Sequence, residues 1–567
     1  MQFIALATDY DETLANEGRA LPETLAALER FKRSGRRLVM VTGRELSDLQ
    51  SVFDRLDLFD RVVAENGALL YRPETRESVE LGDPPPPEFV ERLRRAEIPL
   101  SVGRSIVATV EPHEKVVLDA IRDLGLELQI IFNKGAVMIL PAGVNKASGL
   151  TAGLDELGLS PHNVAGIGDA ENDHAFLRLC GASAAVANAL PSLKTECDLV
   201  TRASRGAGVM ELIDRVLEDD LKSLRRARHQ VPLANTPEGE TVPIEPGCVL
   251  LAAGSSGGGK STFLLGLMER LCKQRFQYCA IDPEGDYEHV EGAVVLGTAK
   301  RPPRPSEVME LLQGVRENAI VNLVGLAFAD RTAFLAELFP QLLELRTRTA
   351  RPHWIVLDEA HHLLPAGHDP VALALPDRMT GLVMVTIEPK QIAPSALQRV
   401  DEILLMGRDP QALAEEFCRA VGVPAHPKLD GDLPKGTGVL WRRSDVGMRK
   451  VCLIEPKQQR KRHARKYAEG QLPEERSFFF RGPDDKLKLR AQNLTVFLQM
   501  AEGVDEETWM HHLRAGDYSR WFRDCIKDED LAREAAAIEL DGMDAEESRA
   551  RIREAVERRY TAPANPS

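Results

Sequence analysis

Phe3-Ile4-Ala5-Leu6-Ala7-Thr8 runs directly into Asp9-Tyr10-Asp11-Glu12-Thr13. A short apolar run that stops at an acidic pair reads as a buried parallel strand. Ligands of parallel sheets gather at the carboxyl ends of the strands, so Asp9 and Asp11 are expected to face a crevice. Working outward, Leu21, Leu25, Leu28 and Phe31 share one face and predict a helix over 21–33. Arg37-Leu38-Val39-Met40-Val41 predicts a second strand that delivers Thr42-Gly43-Arg44 to the same edge. A later strand, Val164 to Ile167, ends in Gly168-Asp169-Ala170-Glu171-Asn172-Asp173, and Val144-Asn145-Lys146 opens a helix upstream of it. Alone, Asp9 and Asp11 would fit a turn cap. Four such groups, in order and each at a strand or helix end, predict one phosphate-handling site on a Rossmann-like α/β core.

That set, D-x-D-x-T, T-G-R, the lysine and G-D-x-x-N-D, resembles the haloacid dehalogenase-type phosphatases, in the Cof-like subfamily IIB whose cap follows the second motif. The resemblance spans residues 1–217, and Glu65-Asn66-Gly67-Ala68 and Val186-Ala187-Asn188-Ala189 also look family-like. It implies that Asp9 attacks phosphorus to form an aspartyl-phosphate, with Mg2+ held by Asp9, the Asp11 backbone carbonyl and Asp169. Asp11 would protonate the leaving alkoxide and then deprotonate the attacking water. Thr42 and Lys146 would neutralise the phosphoryl oxygens, while Asn172 and Asp173 would shape the phosphate and metal surroundings. The physics agrees: a carboxylate attacks a phosphate dianion poorly unless a cation suppresses the repulsion, and all-oxygen ligands suit Mg2+. Pro84 to Pro87 reads as a stiff hinge into a small α/β cap at about residues 85–140. Helices are expected over 88–96 and 114–124, with strands within 100–110, 126–132 and 136–140. A cap that small suits a modest phosphorylated metabolite, such as a sugar phosphate, with Arg44 and Arg104 as candidate contacts for an anionic substrate.

A second phosphate signature follows. Cys248 to Ala253 is strand-like, Gly254-Ser255-Ser256-Gly257-Gly258-Gly259-Lys260-Ser261-Thr262 is a glycine loop, and a helix is expected over 262–272. Strand, loop and helix in this order give a G-x-x-x-x-G-K-[ST] match its proper context. Backbone amides would cradle the phosphates of ATP, Lys260 would reach the β and γ groups, and Ser261 would hold Mg2+. Trp354-Ile355-Val356-Leu357 ends in Asp358 and Glu359; Asp358 suits the metal's outer coordination sphere and Glu359 a water-activating base. With Asp282-Pro283-Glu284-Gly285-Asp286-Tyr287 and Asp358-Glu359-Ala360-His361-His362, residues 241–455 resemble the HerA/FtsK-type P-loop ATPases. That resemblance implies a homo-oligomeric ring with an arginine such as Arg399 or Arg408 reaching the neighbour. Two departures stand out. Ile387-Glu388-Pro389 lies where relatives often carry a sensing glutamine, and 23 Lys+Arg against 27 Asp+Glu leave residues 241–455 at −4.

At 567 residues and roughly 150 per domain, three or four domains are expected. Three are read along the chain, the phosphatase (1–217), the ATPase (241–455) and a mainly helical module (471–567), joined by a linker (221–240) and a basic linker (456–470). In that last module Phe478 to Phe480 and Leu487 to Leu489 suggest a hairpin, and His511, His512 and Asp517 read as helix-end groups before metal ligands. The net charge of −15 disfavours a general nucleic-acid coat. Lys457, Arg460, Lys461, Arg462, Arg465 and Lys466 form a local basic cluster, read as a solvated linker face. Eight scattered cysteines without a C-x-x-C pair fit a reducing compartment. No apolar run reaches the roughly 18 residues of a membrane span. A cytoplasmic Mg2+-dependent phosphomonoesterase coupled to an ATPase is the leading expectation. A small-molecule kinase paired with a phosphatase and an ATP-driven nucleic-acid translocase with an accessory phosphatase are the alternatives.

Overall fold

A computed structural model describes residues 2–222, 224, 227–244, 247–255, 257–367, 375–376, 379–424, 431–443, 447–457, 472, 474–483, 486–526 and 528–560. The chain forms two compact units: Met1–Val231 with Ile244–Gly247 and Leu271–Val356, and Pro232–Pro243 with Cys248–Arg270 and Leu357–Ser567.

The first unit opens with β1 (Ala5–Thr8), β2 (Arg37–Val41), β3 (Arg61–Ala64), β4 (Leu69–Arg72) and β5 (Glu77–Glu80). The cap contributes β6 (Ser101–Val102), β7 (Val107–Val110), β8 (Leu128–Asn133) and β9 (Ala136–Pro141), and the core resumes with β10 (Val164–Gly168), β11 (Ala182–Ala185) and β12 (Leu199–Val200). The core sheet runs β12-β11-β10-β1-β2-β3-β4-β5. β1 lies at its centre, parallel to β10 and β2, with every residue buried, which is why its sequence is apolar throughout. Thr8 pairs with both Ile167 and Met40, so the next residues of three strands emerge along one sheet edge. That register assembles the site.

The cap is a four-stranded antiparallel sheet, β6-β7-β9-β8, with helices Pro87–Arg95 and Glu114–Leu124. Its own core gathers Phe89, Leu93, Val117 and Ile139. Pro87 takes the first helical position, where a missing N–H costs nothing.

The remaining strands are β13 (Val231–Asn235), β14 (Thr241–Ile244), β15 (Val249–Gly254), β16 (Tyr278–Asp282), β17 (Ala293–Leu296), β18 (Asn318–Asn322), β19 (Trp354–Leu357), β20 (Leu382–Thr386), β21 (Glu402–Met406), β22 (Thr437–Arg442), β23 (Met448–Leu453), β24 (Phe478–Phe480) and β25 (Leu489–Ala491). In the first unit β18 pairs in parallel with β16 and β17. In the second, β15 lies between β20 and β21, parallel to both, and β21, β22 and β23 follow as an antiparallel run.

Two expectations are corrected. The stretch 221–240, expected as a linker, contains β13, which pairs with β23 and buries Val231, Leu233 and Ala234. Pro232 and the polar residues around it hid a strand too short to show a period. The hairpin partner of β24 lies at Leu489–Ala491, two residues beyond the expected place, because Phe478 faces Ala491. Around that hairpin five helices, Leu494–Gly503, Glu506–Ala515, Asp517–Asp524, Glu529–Leu540 and Ala545–Tyr560, pack on Phe497, Trp509, Tyr518 and Phe522. His512 joins this packing, accepting from the Arg481 N–H at 3.0 Å and lying 2.8 Å from Asp517, as a helix-end group would. Of the basic cluster, Lys457 is described and Arg460 to Lys466 lie outside the described residues. Among the described residues no helix is long and apolar enough to cross a membrane.

Candidate active site

Asp9 leaves the end of β1, held by its N–H bond to the Ile167 carbonyl at 3.0 Å. Lys146 is the first residue of helix Lys146–Leu157, whose start is fixed by Asn145 accepting the N–H groups of Ala147 and Ser148. From there its ammonium donates to Asp9 Oδ1 and to Asp173 Oδ1, each at 2.6 Å. The other oxygen of Asp173 accepts the Asp169 and Ala170 N–H groups at 2.7 and 3.0 Å. Asp173 therefore clamps the loop after β10 as well as the lysine. Asp169 accepts from the Thr13 hydroxyl at 3.0 Å and pairs with Lys134, a cap residue.

Asp9, Asp169 and Asp173 are all buried and present carboxylate oxygens within 4.8 Å of one another. Burial first, then repulsion from Asp173 and Asp169, raises Asp9 above the ordinary carboxylate range against the pull of Lys146. Burial also raises Asp169, opposed by Lys134. Burial works against the charge on Lys146, but Asp173 and Asp9 overcome it and hold the ammonium charged. Three carboxylates thus face two ammonium groups, and an all-oxygen donor set with excess negative charge fits a divalent cation of the Mg2+ type.

Asp11 stands apart from this cluster. Its carboxylate is gripped by Arg44 through Nε and Nη2 at 2.7 to 3.0 Å, and Arg44 also holds Asp48 at 2.6 Å. Thr42 is fully buried, and its hydroxyl oxygen accepts the Arg44 N–H at 3.1 Å. Asn172 donates to Asn66 Oδ1 at 3.0 Å. That bond leaves Asn66 Nδ2, a buried donor without a protein partner, beside the Thr42 loop. Arg104 turns its guanidinium outward, donating to the Ser78 hydroxyl at 2.8 Å.

Three contributors escaped the sequence reading. Glu65, 2% exposed, accepts the N–H groups of Arg104, Ser105 and Ile106 at 3.1, 2.9 and 3.2 Å and so anchors the cap to the core. Asn66 supplies the buried donor, and Lys134 reaches Asp169 from the turn between β8 and β9. For the first two a signal existed in the Glu65-Asn66-Gly67 stretch. Lys134 had none, because a lysine in a hairpin turn looks like any solvated surface residue.

A model of the haloacid dehalogenase-like hydrolase family matches residues 6–93 and 109–213. Phosphoglycolate phosphatase of Methanothermobacter thermautotrophicus is 32% identical over 226 residues, 38% of this chain and 98% of that protein. Through its N-terminal part, the chain belongs to the haloacid dehalogenase-like hydrolases. Phosphoglycolate phosphatase 2 of Saccharolobus solfataricus is also 32% identical, over 38% of this chain and 92% of its own. A haloacid dehalogenase-like hydrolase from Bacteroides thetaiotaomicron aligns in structure at 19% identity and a TM-score of 0.34, covering 38% of this chain and 99% of that one. The family model ends at residue 213, so the glycine loop is outside it.

The chain carries that loop at the end of β15, in the second unit. Gly257 and Gly259 adopt left-handed φ of 75° and 98°, which side chains resist. Lys260 is 7% exposed and folds back to donate to the Gly254 and Ser255 carbonyls at 3.0 and 3.2 Å. Ser261 and Thr262 open the following helix, Lys260–Lys273; Gly258 closes a turn onto Ser255, and Ser256 is outside the described residues. Thr386 ends β20 beside Ala253, with His361 at 3.2 Å from its hydroxyl and Glu359 at 3.5 Å from His361. Asp358 is buried and accepts the Glu359 N–H at 3.0 Å. Arg399 is engaged within its own chain by the Pro376 and Leu375 carbonyls, whereas Arg408 is exposed.

Proposed function

We propose that the N-terminal domain is a phosphomonoesterase working through an aspartyl-phosphate on Asp9. The observation that carries this reading is the convergence of Asp9, Lys146, Asp169 and Asp173 in one buried cluster, from sequence positions up to 164 residues apart. An Asp9 oxygen attacks phosphorus as the bond to the leaving oxygen breaks, and Asp11 gives that oxygen its proton. Asp11 then takes a proton from water, whose oxygen attacks the phosphorus of the acyl phosphate and releases phosphate, regenerating Asp9. To do so Asp11 swings off Arg44, which keeps Asp48 as a partner meanwhile. Lys146, Thr42 and the Asn66 amide offer hydrogen bonds to the phosphoryl oxygens. Asp9 and Asp169, with the Asp11 carbonyl, would hold Mg2+, which supplies charge neutralisation between nucleophile and phosphate. Two relatives that act on phosphoglycolate by name make that ester the first substrate to try, with sugar phosphates next. Asp9→Asn should abolish phosphate release by the pure, Mg2+-loaded protein; residual turnover would assign the nucleophile elsewhere.

For the second unit we infer nucleotide binding at the glycine loop. The support is the combination of a loop with left-handed glycines, a lysine held by the loop's own carbonyls, and an acidic strand end linked to it through Thr386 and His361. An anion with donor-hungry oxygens draws Lys260 off those carbonyls and onto itself. Lys260→Ala should weaken ATP binding in a titration with a fluorescent analogue and leave ester hydrolysis at Asp9 near its original rate. Undiminished ATP affinity would remove the nucleotide reading.

A further inference from the structure

β8 and β9 are joined by Lys134-Gly135, with Asn133 facing Ala136, and the two turn residues have φ of +47° and +84°. Such a two-residue hairpin favours Asn-Gly, because a Cβ opposes positive φ at the first position. Here a lysine occupies that position, so the backbone is held where a lysine does not readily go, and the surrounding contacts show what holds it. The Lys134 N–H donates to Glu171 Oε2 at 3.3 Å, pinning the turn over the loop after β10. Its ammonium pairs with Asp169, a carboxylate 1% exposed, while the lysine side chain itself is 40% exposed. The same hairpin approaches the second motif, since Met138 Cε lies 3.0 Å from where a Cβ on Gly43 would stand. The cap therefore lays one partly exposed cation on Asp169, while the buried Lys146 serves Asp9 and Asp173.

We propose that Lys134 selects the leaving group, its ammonium receiving the carboxylate of a small phosphate ester whose phosphoryl group lies on Asp9. This rests on the phosphatase reading and names the substrate class for that site. A divalent ion held by Asp9 and Asp169 would take the place of the Lys134 ammonium on Asp169, and the Glu171-pinned turn would keep that ammonium within a side-chain length of the cluster. The phosphoryl group lies against Asp9 and Lys146 on the buried side, so the leaving half extends toward the cap and meets Lys134 first. A leaving half with an anionic group two bonds from its ester oxygen pairs with that point charge; an alkyl group of the same size does not. Glu171, the carboxylate already bonded to the turn, is the competing partner.

The test compares 2-phosphoglycolate with ethyl phosphate, matched in size and differing in the carboxylate, on the full-length Mg2+-loaded protein and on Lys134→Met and Lys134→Arg. Expected for Lys134→Met is a rise in KM for phosphoglycolate of about tenfold or more, as for loss of a charged hydrogen bond, with kcat within about threefold. KM for ethyl phosphate should stay unchanged, and Lys134→Arg should recover part of the loss. A readout independent of turnover is the Mg2+ titration followed by melting temperature. Lys134→Met should bind Mg2+ more tightly than the original chain, because no ammonium competes for Asp169. Equal losses on both esters, or an unchanged phosphoglycolate KM, would overturn the assignment of Lys134 while leaving the phosphatase intact. If the unmodified chain released phosphate from neither ester, the phosphatase reading would fall and the Lys134 assignment with it.

Discussion

Lys146 faces two carboxylates at 2.6 Å with almost no solvent to share the charge. Removing it by Lys146→Met leaves Asp9 and Asp173 buried without their cation, a change that costs about 3–5 kcal/mol for a broken buried pair. Urea unfolding should show that loss at neutral pH, and a smaller one at acid pH where the carboxylates take up protons; a pH-independent loss would place the effect in packing. The metal-free protein carries a related signature. Asp9 and Asp169 are raised, chiefly by burial, so the folded state keeps protons that the unfolded chain has released. Stability therefore falls as pH rises from the ordinary carboxylate range through the raised values. Mg2+ must displace those protons, so the Mg2+-induced gain in melting temperature should grow with pH across the same window. A gain that is flat between acid and neutral pH would argue against Asp9 and Asp169 as ligands. At this scale Asp9, Thr42, Lys146 and Asp169 were legible because each sits beside a strand or helix end. Lys134 was not, since Asp169 lies 35 residues away and is met only when the cap folds over the core; Glu65 lay in a stretch that stood out, but its partners 40 and 41 residues away did not.

Among the elements, the short turn Glu65–Gly67 carries the tightest constraint. Gly67 has φ of +109°, and a Cβ placed there would stand 1.9 Å from the carbonyl oxygen of Asn145, the cap of the helix that begins with Lys146. Gly149, one turn into that helix, would likewise drive a Cβ to 2.6 Å from the Gly67 Cα. Two glycines thus let a turn and a helix meet backbone to backbone, which fixes where the lysine starts. Gly67→Ala should cost about 2 kcal/mol or more, through strain and helix displacement, and lower kcat more than it raises KM. An alanine variant with native melting and native kcat would show that the helix start is free to move. The strand and helix pattern of the core was readable from its buried apolar runs. β13 was not, because five residues interrupted by Pro232 give no period to read, and its place is set by pairing with β23 over 200 residues away.

At the scale of the chain, the first unit joins the phosphatase core to residues 271–356 rather than ending at residue 217. The join is polar, with a buried arginine at its centre and an exposed ion pair beside it. Arg351, 1% exposed, donates to the Gly158 carbonyl at 2.9 Å and to the Gly314 carbonyl and Gln277 Oε1 at 2.8 and 3.0 Å. His162 stacks on Phe276 at 3.9 Å, His353 lies 3.2 Å from Asn163 Oδ1, and Arg316 pairs with Asp155 at 2.7 Å. Burial lowers Arg351 only to about 10, so it stays charged at neutral pH, and it lowers His353 well below its usual value, so that ring stays neutral. These contacts grip the far ends of the two elements whose near ends carry Lys146 and Asp169: Gly158 closes the Lys146 helix, and Asn163 precedes β10. None of this was visible in the sequence, because Arg351 meets its partners Gly158 and Gln277 only across 193 and 74 residues of chain. Arg351→Met removes the donor from five acceptors at once and should cost about 3 kcal/mol in denaturant unfolding. Amide exchange should quicken at the carboxyl end of the Lys146 helix and at the start of β10. Turnover at Asp9 should fall less than tenfold, because the site's own hydrogen bonds remain. Unchanged exchange in both segments would mean that the phosphatase core stands without its neighbour.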